Sequence, residues 1–216
     1  MAEHPILFSG PMVRAILEGR KTQTRRVMKV QMEYDGGSYW QDGTGALHLI
    51  ETLCPYGVPG DRLWVRETWG IFDQHHDGLA IAYRADDIGD DLGAVTWFDV
   101  DMETHHKYCL RDGVEKADEK WRPSIFMPRW ASRINLEITG VRVERLQDIG
   151  KDGRKAHDVL AEGISREAIE QWEQYLHKDD APAHTYGVLW DTINGKRAPW
   201  ASNPWVWVVE FKRVAP

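Results

Sequence analysis

Cysteine is scarce in this 216-residue chain: only Cys54 and Cys109 occur, which leaves no disulfide framework and predicts a reduced, cytoplasmic protein. Long hydrophobic runs are missing as well. No apolar stretch approaches the roughly 20 residues that span a bilayer, so no membrane segment is expected. The opening Met1-Ala2-Glu3-His4-Pro5 has no basic stretch followed by an apolar one, and no secretory leader is expected. Positive charge is not in excess: 27 Lys and Arg stand against 34 Asp and Glu, for a net charge of −7. That balance argues against charge-driven coating of extended nucleic acid. Neither Asp35-Gly36-Gly37 nor Gly43-Thr44-Gly45 is followed by Gly-Lys-Ser/Thr, which excludes a phosphate-binding P-loop. His75-His76, and His105-His106 with Cys109, lack zinc-ligand spacing. No metal and no cofactor are expected.

What is present is ordinary globular material, 42 % hydrophobic and 28 % charged, with enough length to bury one core. No internal repeat or linker divides the chain. The reading is one domain over residues 1–216, with insertions near 31–55 and 86–120. Basic residues concentrate at Arg20, Lys21, Arg25, Arg26 and Lys29, while acids dominate 86–103 and 162–180. A local basic cleft for a small anionic or nucleotide ligand fits this asymmetry.

Pro5-Ile6-Leu7-Phe8 reads as a strand, followed by a helix capped at Ser9 or Gly10, with Pro11 near its first turn. Val13, Ile16 and Leu17 form its apolar stripe, and Gly19 supplies the stop. Arg62 to Trp69 alternates as a strand, with Ile81 to Arg84 as its expected partner. A second long strand is expected from Ser132 to Leu146. Helices follow at about 153–162, after the Ser165 cap, and from Thr185 to Ile193. Trp205 to Phe211 closes the chain as a strand. Strands at both ends with helices between predict an α+β fold, a mixed barrel in which the first and last strands pair.

Gly19-x-Lys21-x-x-Thr24-x-Arg26 resembles the G-x-K-x-x-E-x-R signature of ASCH domains, with Thr24 where many members carry Glu. Pro59-Gly60-Asp61-Arg62-Leu63 is similar to the family's G-D-x-L segment. Phage and prophage members look especially alike through Leu7 to Val13, Met127 to Arg133 and Asn203 to Trp207. The resemblance leaves residues about 31–50 and 86–118 uncovered. It implies a PUA-like mixed β-barrel with flanking helices and loop insertions. Gly19-Arg20-Lys21-Thr22-Gln23-Thr24-Arg25-Arg26 further resembles the G-R-K-T-x-T-x-R run of a smaller branch, amidohydrolases acting on N4-acetylcytidine and related N4-acylated cytosines. There a Lys and the second Thr work with a Glu from a helix beyond the long strand. Carried over, the catalytic residues are Lys21, Thr24 and Glu162, with Glu144, Asp148 and Asp158 as nearby alternatives to the third.

Amide hydrolysis needs a nucleophile, a base and donors for the developing oxyanion. Lys21 can deprotonate a threonine only when neutral. Near pH 7 roughly one ordinary lysine in a thousand is neutral, and lowering its pKa by about 3 units takes about 4 kcal/mol of differential interaction. Arg20, Arg25 and Arg26 supply like-charge repulsion, while an ionised Glu162 opposes it. Arg20, Arg25, Arg26 and Arg66 are the candidate substrate- or phosphate-binding residues. The expected partner is a nucleoside or nucleobase, with RNA as the second candidate. Two alternatives share the cleft: a non-catalytic reader of RNA or a modified nucleotide, and an ASCH-type ribonuclease. The simplest competing reading of the basic run is a set of solvated cations at a helix C-terminus. For most of the eleven tryptophans it is strand packing, with Tyr39, Trp40, Trp130 and Trp200 freer to stack on a ligand.

Overall fold

The computed structural model describes residues 1–29, 39–41, 47–49, 53–75, 78–86, 95–109, 120–149 and 155–215. In chain order these form β1 (Glu3–Leu7), α1 (Gly10–Leu17), β2 (Gln23–Val27), β3 (Tyr39–Gln41), β4 (Leu47–Leu49), β5 (Arg62–Arg66), β6 (Trp69–His75), β7 (Gly78–Tyr83), β8 (Thr96–Asp99), α2 (Met102–Cys109), β9 (Asn135–Arg145), α3 (Lys155–Ala161), α4 (Arg166–Glu173), α5 (Ala181–Asn194) and β10 (Trp205–Val214). The fold is α+β. The described strands lie in sheets of five, three and two, ordered β1-β5-β9-β10-β2, β6-β7-β8 and β3-β4. Among the described residues no helix is long and apolar enough to cross a membrane, and no cluster of acidic, His or Cys side chains is arranged to hold a metal.

Two expectations are corrected. The closing strand β10 does not pair with the first strand; it lies between β9 and β2, and β1 is an outer strand beside β5. Chain order carries no information about which strands pair, because neighbours in a sheet are chosen by long-range packing. The run from Arg62 to Trp69 is also two strands rather than one. β5 ends at Arg66 and β6 begins at Trp69, and β7 pairs with β6. The break falls at Glu67, which is 1 % exposed and tied to Arg133. Within the expected insertions the structure places β3 with β4 and β8 with α2; residues 31–38, 42–46, 50–52, 87–94 and 110–119 lie outside the described residues.

Contacts divide the chain into two compact units, one from Met1–His4, Ala15–Leu63 and Leu136–Val214, the other from Pro5–Arg14, Trp64–Asn135 and Ala215–Pro216. The first is built on the antiparallel β2–β10 pair, with Thr24 opposite Val209 and Arg25 opposite Val208. α3, α4 and α5 cover it through Val159, Ile169, Tyr186 and Trp190, packed on Val206 and Val208. Ser165 caps α4 as expected, its Oγ accepting from the Ala168 N–H at 3.3 Å. Cys54 is buried as a free thiol. Trp200 lies against Tyr186, 6.1 Å between ring centroids, so it serves packing.

The second unit packs Trp69, Ile71, Leu79, Ile81 and Tyr83 against Met127 and Ala131. Trp130 joins this core edge-on to Trp69, Phe98 and Tyr108. Arg133 binds Glu67 through Nε and Nη2, both at 3.0 Å, and Asp86 through Nη2 at 2.8 Å, with its Cζ 3.9 Å from the Tyr83 ring centroid. Burial pushes the Glu67 carboxyl up and Arg133 pulls it back. Arg133→Met would leave that carboxylate buried without its cation. The expected cost is about 3 kcal/mol, read as a lower denaturation midpoint, and Arg133→Lys would recover only part because an ammonium cannot reproduce the fork.

Candidate functional site

Two helix ends meet at the basic run. α1 closes in a Schellman motif: the Gly19 N–H donates to Ile16 O at 3.0 Å and the Arg20 N–H to Ala15 O at 2.9 Å, with Gly19 at φ 75°. The turn delivers Lys21 directly into an antiparallel bridge with Glu162, the residue following α3. Thr22 N–H donates to Ala161 O at 2.9 Å and locks the register. Gly163, at φ 90°, then turns the chain away. A Cβ at Gly163 would lie 3.0 Å from both Ala15 Cβ and Lys21 Cβ. Gly163→Ala is therefore expected to cost about 1–3 kcal/mol in stability and to displace Lys21. A variant with an unchanged melting temperature and an unchanged Lys21 environment would contradict this.

The side chains form a buried charge cluster. Lys21, only 2 % exposed, donates from Nζ to Glu162 O at 2.8 Å and to Glu162 Oε2 at 3.0 Å. Arg25 Nη1 donates to the other oxygen, Glu162 Oε1, at 2.9 Å, while its Nη2 meets Glu144 Oε2 at 3.0 Å and Asp158 Oδ2 at 3.4 Å. Gln23 Nε2 donates to Asp158 O at 3.0 Å. Strand alternation explains the set: Gln23 and Arg25 project from one face of β2 toward α3, and Thr24 and Arg26 from the other. Asp158 and Glu162 are four residues apart and so share one side of the helix end.

Burial lowers the Lys21 pKa below the ordinary 10.5. Glu162 opposes that shift by charge and hydrogen bond, and Arg26 and Arg25 reinforce it. Burial also lowers Arg26, against which Tyr56 and Glu162 act. Arg25 shifts the other way: burial works against its charge, and Glu162 and Glu144 outweigh it.

The chain matches no family model, no curated protein and no solved structure.

The sequence-derived residues are thus distributed as follows. Lys21 and Glu162 come together in direct contact. Thr24 lies on β2 opposite Val209, 3 % exposed, and its hydroxyl is hydrogen-bonded to neither of them. Arg26 occupies the same strand face as Thr24 and is close enough to act electrostatically on Lys21 and to feel Glu162. Arg20 is a surface cation, paired with Glu18 and donating from Nη1 to Gly163 O at 2.8 Å. It is the residue of the run that fits solvated pairing at a helix C-terminus. A cleft of about 580 Å³ opens beside it, lined by Leu160, Ile164, Ser165, Arg166 and Glu167; Lys21 and Glu162 do not line it. Arg66 belongs to the second unit, with its Cζ 4.6 Å from the Trp64 ring centroid; Arg129 approaches the same ring at 5.9 Å.

Read from sequence, Arg25 is a substrate- or phosphate-binding candidate and a like charge acting on Lys21, and Glu144 and Asp158 are only alternatives to Glu162. In the structure both carboxylates bind Arg25. The available signal was the alternation of Lys21, Gln23 and Arg25 matched to the four-residue spacing of Asp158 and Glu162. Tyr186 was missed altogether; its ring centroid lies 5.9 Å from Arg25 Cζ.

Proposed function

We propose that the protein is an amidohydrolase of the ASCH type, on a PUA-like barrel, that removes the acyl group from N4-acylated cytosine nucleosides or bases. The supporting observation is the buried Lys21–Glu162 contact, in which a lysine of lowered pKa is held by both the carbonyl and the carboxylate of one residue. In this reading neutral Lys21 is the base that takes the proton of the Thr24 hydroxyl, a hydroxyl to which it is not hydrogen-bonded in the structure without substrate. Thr24 Oγ adds to the acyl carbonyl, the carbon–nitrogen bond breaks, and the proton on Lys21 passes to the departing cytosine amine. Water then attacks the acyl-threonine, Lys21 takes the water's proton and returns it to Thr24 Oγ as the ester C–O bond breaks, and the carboxylic acid is released. Glu162 keeps the amine oriented through both steps. Arg26, on the Thr24 face, is assigned to the substrate.

A phosphate-binding reading finds less support. The Nη groups of Arg25 are committed to three carboxylates and Arg20 pairs with Glu18, so neither is set out for a nucleic-acid backbone. The test is turnover of N4-acetylcytidine, followed by absorbance, for wild type and Thr24→Val. Release of cytidine by wild type and its loss in Thr24→Val are expected. Absence of turnover by pure wild type on nucleoside, base and RNA substrates would overturn the reading.

A further inference from the structure

Arg25 is the hub of the cluster. Its side chain is fully buried at 0 % exposure, and it joins three carboxylates: Glu162 after α3, Asp158 within α3 and Glu144 on β9. Glu162 divides its carboxylate accordingly, with Oε1 on Arg25 at 2.9 Å and Oε2 on Lys21 at 3.0 Å. A carboxylate with one cation can chelate it or rotate about its last torsion, which is broad for sp³–sp² bonds. A carboxylate clamped on one oxygen presents the other in a single direction. The guanidinium suits this task because its planar fork spans several acceptors at once, whereas an ammonium is a point charge.

We propose that Arg25 is a positioning residue for the Lys21–Glu162 pair: it holds Glu162 Oε1 so that Oε2 faces Lys21 Nζ, with Glu144 and Asp158 anchoring the guanidinium from behind. The proposal rests on the amidohydrolase reading of that pair. It deepens that reading by giving Arg25 a role in setting the base, not in touching substrate.

The charges around Lys21 fix the sign of the effect. Glu162 faces it from the end of α3, and Arg25 and Arg26 face it from β2. Tyr186 of α5 faces Glu162, Arg25 and Arg26, and Glu144 of β9 faces Arg25. Removing the Arg25 charge acts on Lys21 by two routes. A repelling cation is lost, and the Glu162 charge is no longer shared. Both favour the protonated amine, so the acidic limb of activity moves to higher pH.

The test uses Arg25→Gln and Arg25→Lys in the full chain. For each, kcat and KM are measured against pH with N4-acetylcytidine, and the Lys21 Cε resonance is titrated by NMR without substrate. Arg25→Gln is expected to move the acidic limb of kcat/KM up by about one pH unit, which lowers kcat/KM about tenfold at a pH on that limb. The change falls in kcat, with KM little altered. Arg25→Lys keeps the charge and loses the fork, so its limb shifts less while kcat still falls. If Arg25→Gln does not fold, Arg25→Lys carries the test alone. A folded variant with an unmoved limb and an unmoved Lys21 titration overturns the proposal. If wild type has no activity, the amidohydrolase reading fails by itself. The Lys21 titration then decides the Arg25 role: an upward shift in the variants supports it, and an unchanged midpoint overturns it.

Discussion

Lys21→Met is expected to lower kcat/KM on N4-acetylcytidine by about a thousandfold, the range seen when a positioned acid–base group is removed, and to leave the fold standing. The two effects separate because Glu162 keeps its bond to Arg25 at 2.9 Å when the lysine is gone. Removing one member of a buried ion pair is costly when it leaves the other without a partner, and here Glu162 still has the Arg25 guanidinium. The loss should fall on kcat rather than KM, since in the proposed mechanism Lys21 acts on a proton that moves only in the transition state. Kinetics on the purified variant beside a denaturation curve would check both halves. A variant that keeps wild-type kcat, or one that unfolds outright, would contradict the assignment.

The pH dependence of stability carries the same signature. Lys21 in the folded protein has a pKa below its ordinary 10.5, chiefly through burial and with Glu162 acting against the shift. Between that lowered value and 10.5 the unfolded chain binds more protons at this position than the folded one. Stability from Lys21 therefore rises as pH rises through the folded value, and the gain is complete above 10.5. Lys21→Met removes this slope, so wild type gains stability relative to the variant as pH rises through the folded pKa.

Glu162→Ala is expected to be the most destabilising substitution in the cluster, at about 3–5 kcal/mol. It strips Lys21 of its carboxylate and takes one of the three carboxylates from Arg25, both side chains being 0 % exposed. Backbone contacts at the bridge persist, among them the Thr22 N–H bond to Ala161 O, so the loss comes from uncompensated charge. Glu162→Gln keeps the shape and one acceptor and should lose less. Losing Glu162 also removes what holds the Lys21 pKa up. Glu162→Ala should accordingly recover stability with rising pH more steeply than wild type. Denaturant titrations of the three proteins across the alkaline range measure this directly. A Glu162→Ala protein within about 1 kcal/mol of wild type would mean that the pair behaves like a surface ion pair.

Local punctuation was the most legible part of the sequence. Gly19 and Gly163 both stop helices where their left-handed backbone allows, and those two stops bring Lys21 to Glu162. Alternation likewise picked out Ile134, Leu136 and Ile138, all buried. Long-range choices were not legible. The placement of β10 between β9 and β2 depends on which faces pack together, and residues near in sequence carry no record of it. Arg25 shows the same limit at one residue. Its carboxylates lie 119, 133 and 137 positions away, so a basic run read locally looks like a cleft for phosphate. Glu67 shows it once more: the charged residue that follows the end of β5 is bound by Arg133, 66 positions on.

The most direct test of the Lys21–Glu162 account is the pH at which Lys21 loses its proton in the wild-type protein. It can be read from the Lys21 Cε resonance, assigned by its absence in Lys21→Met. The account predicts a midpoint below 10.5 that coincides with the acidic limb of kcat/KM on N4-acetylcytidine. A Lys21 that titrates at or above 10.5 would contradict it.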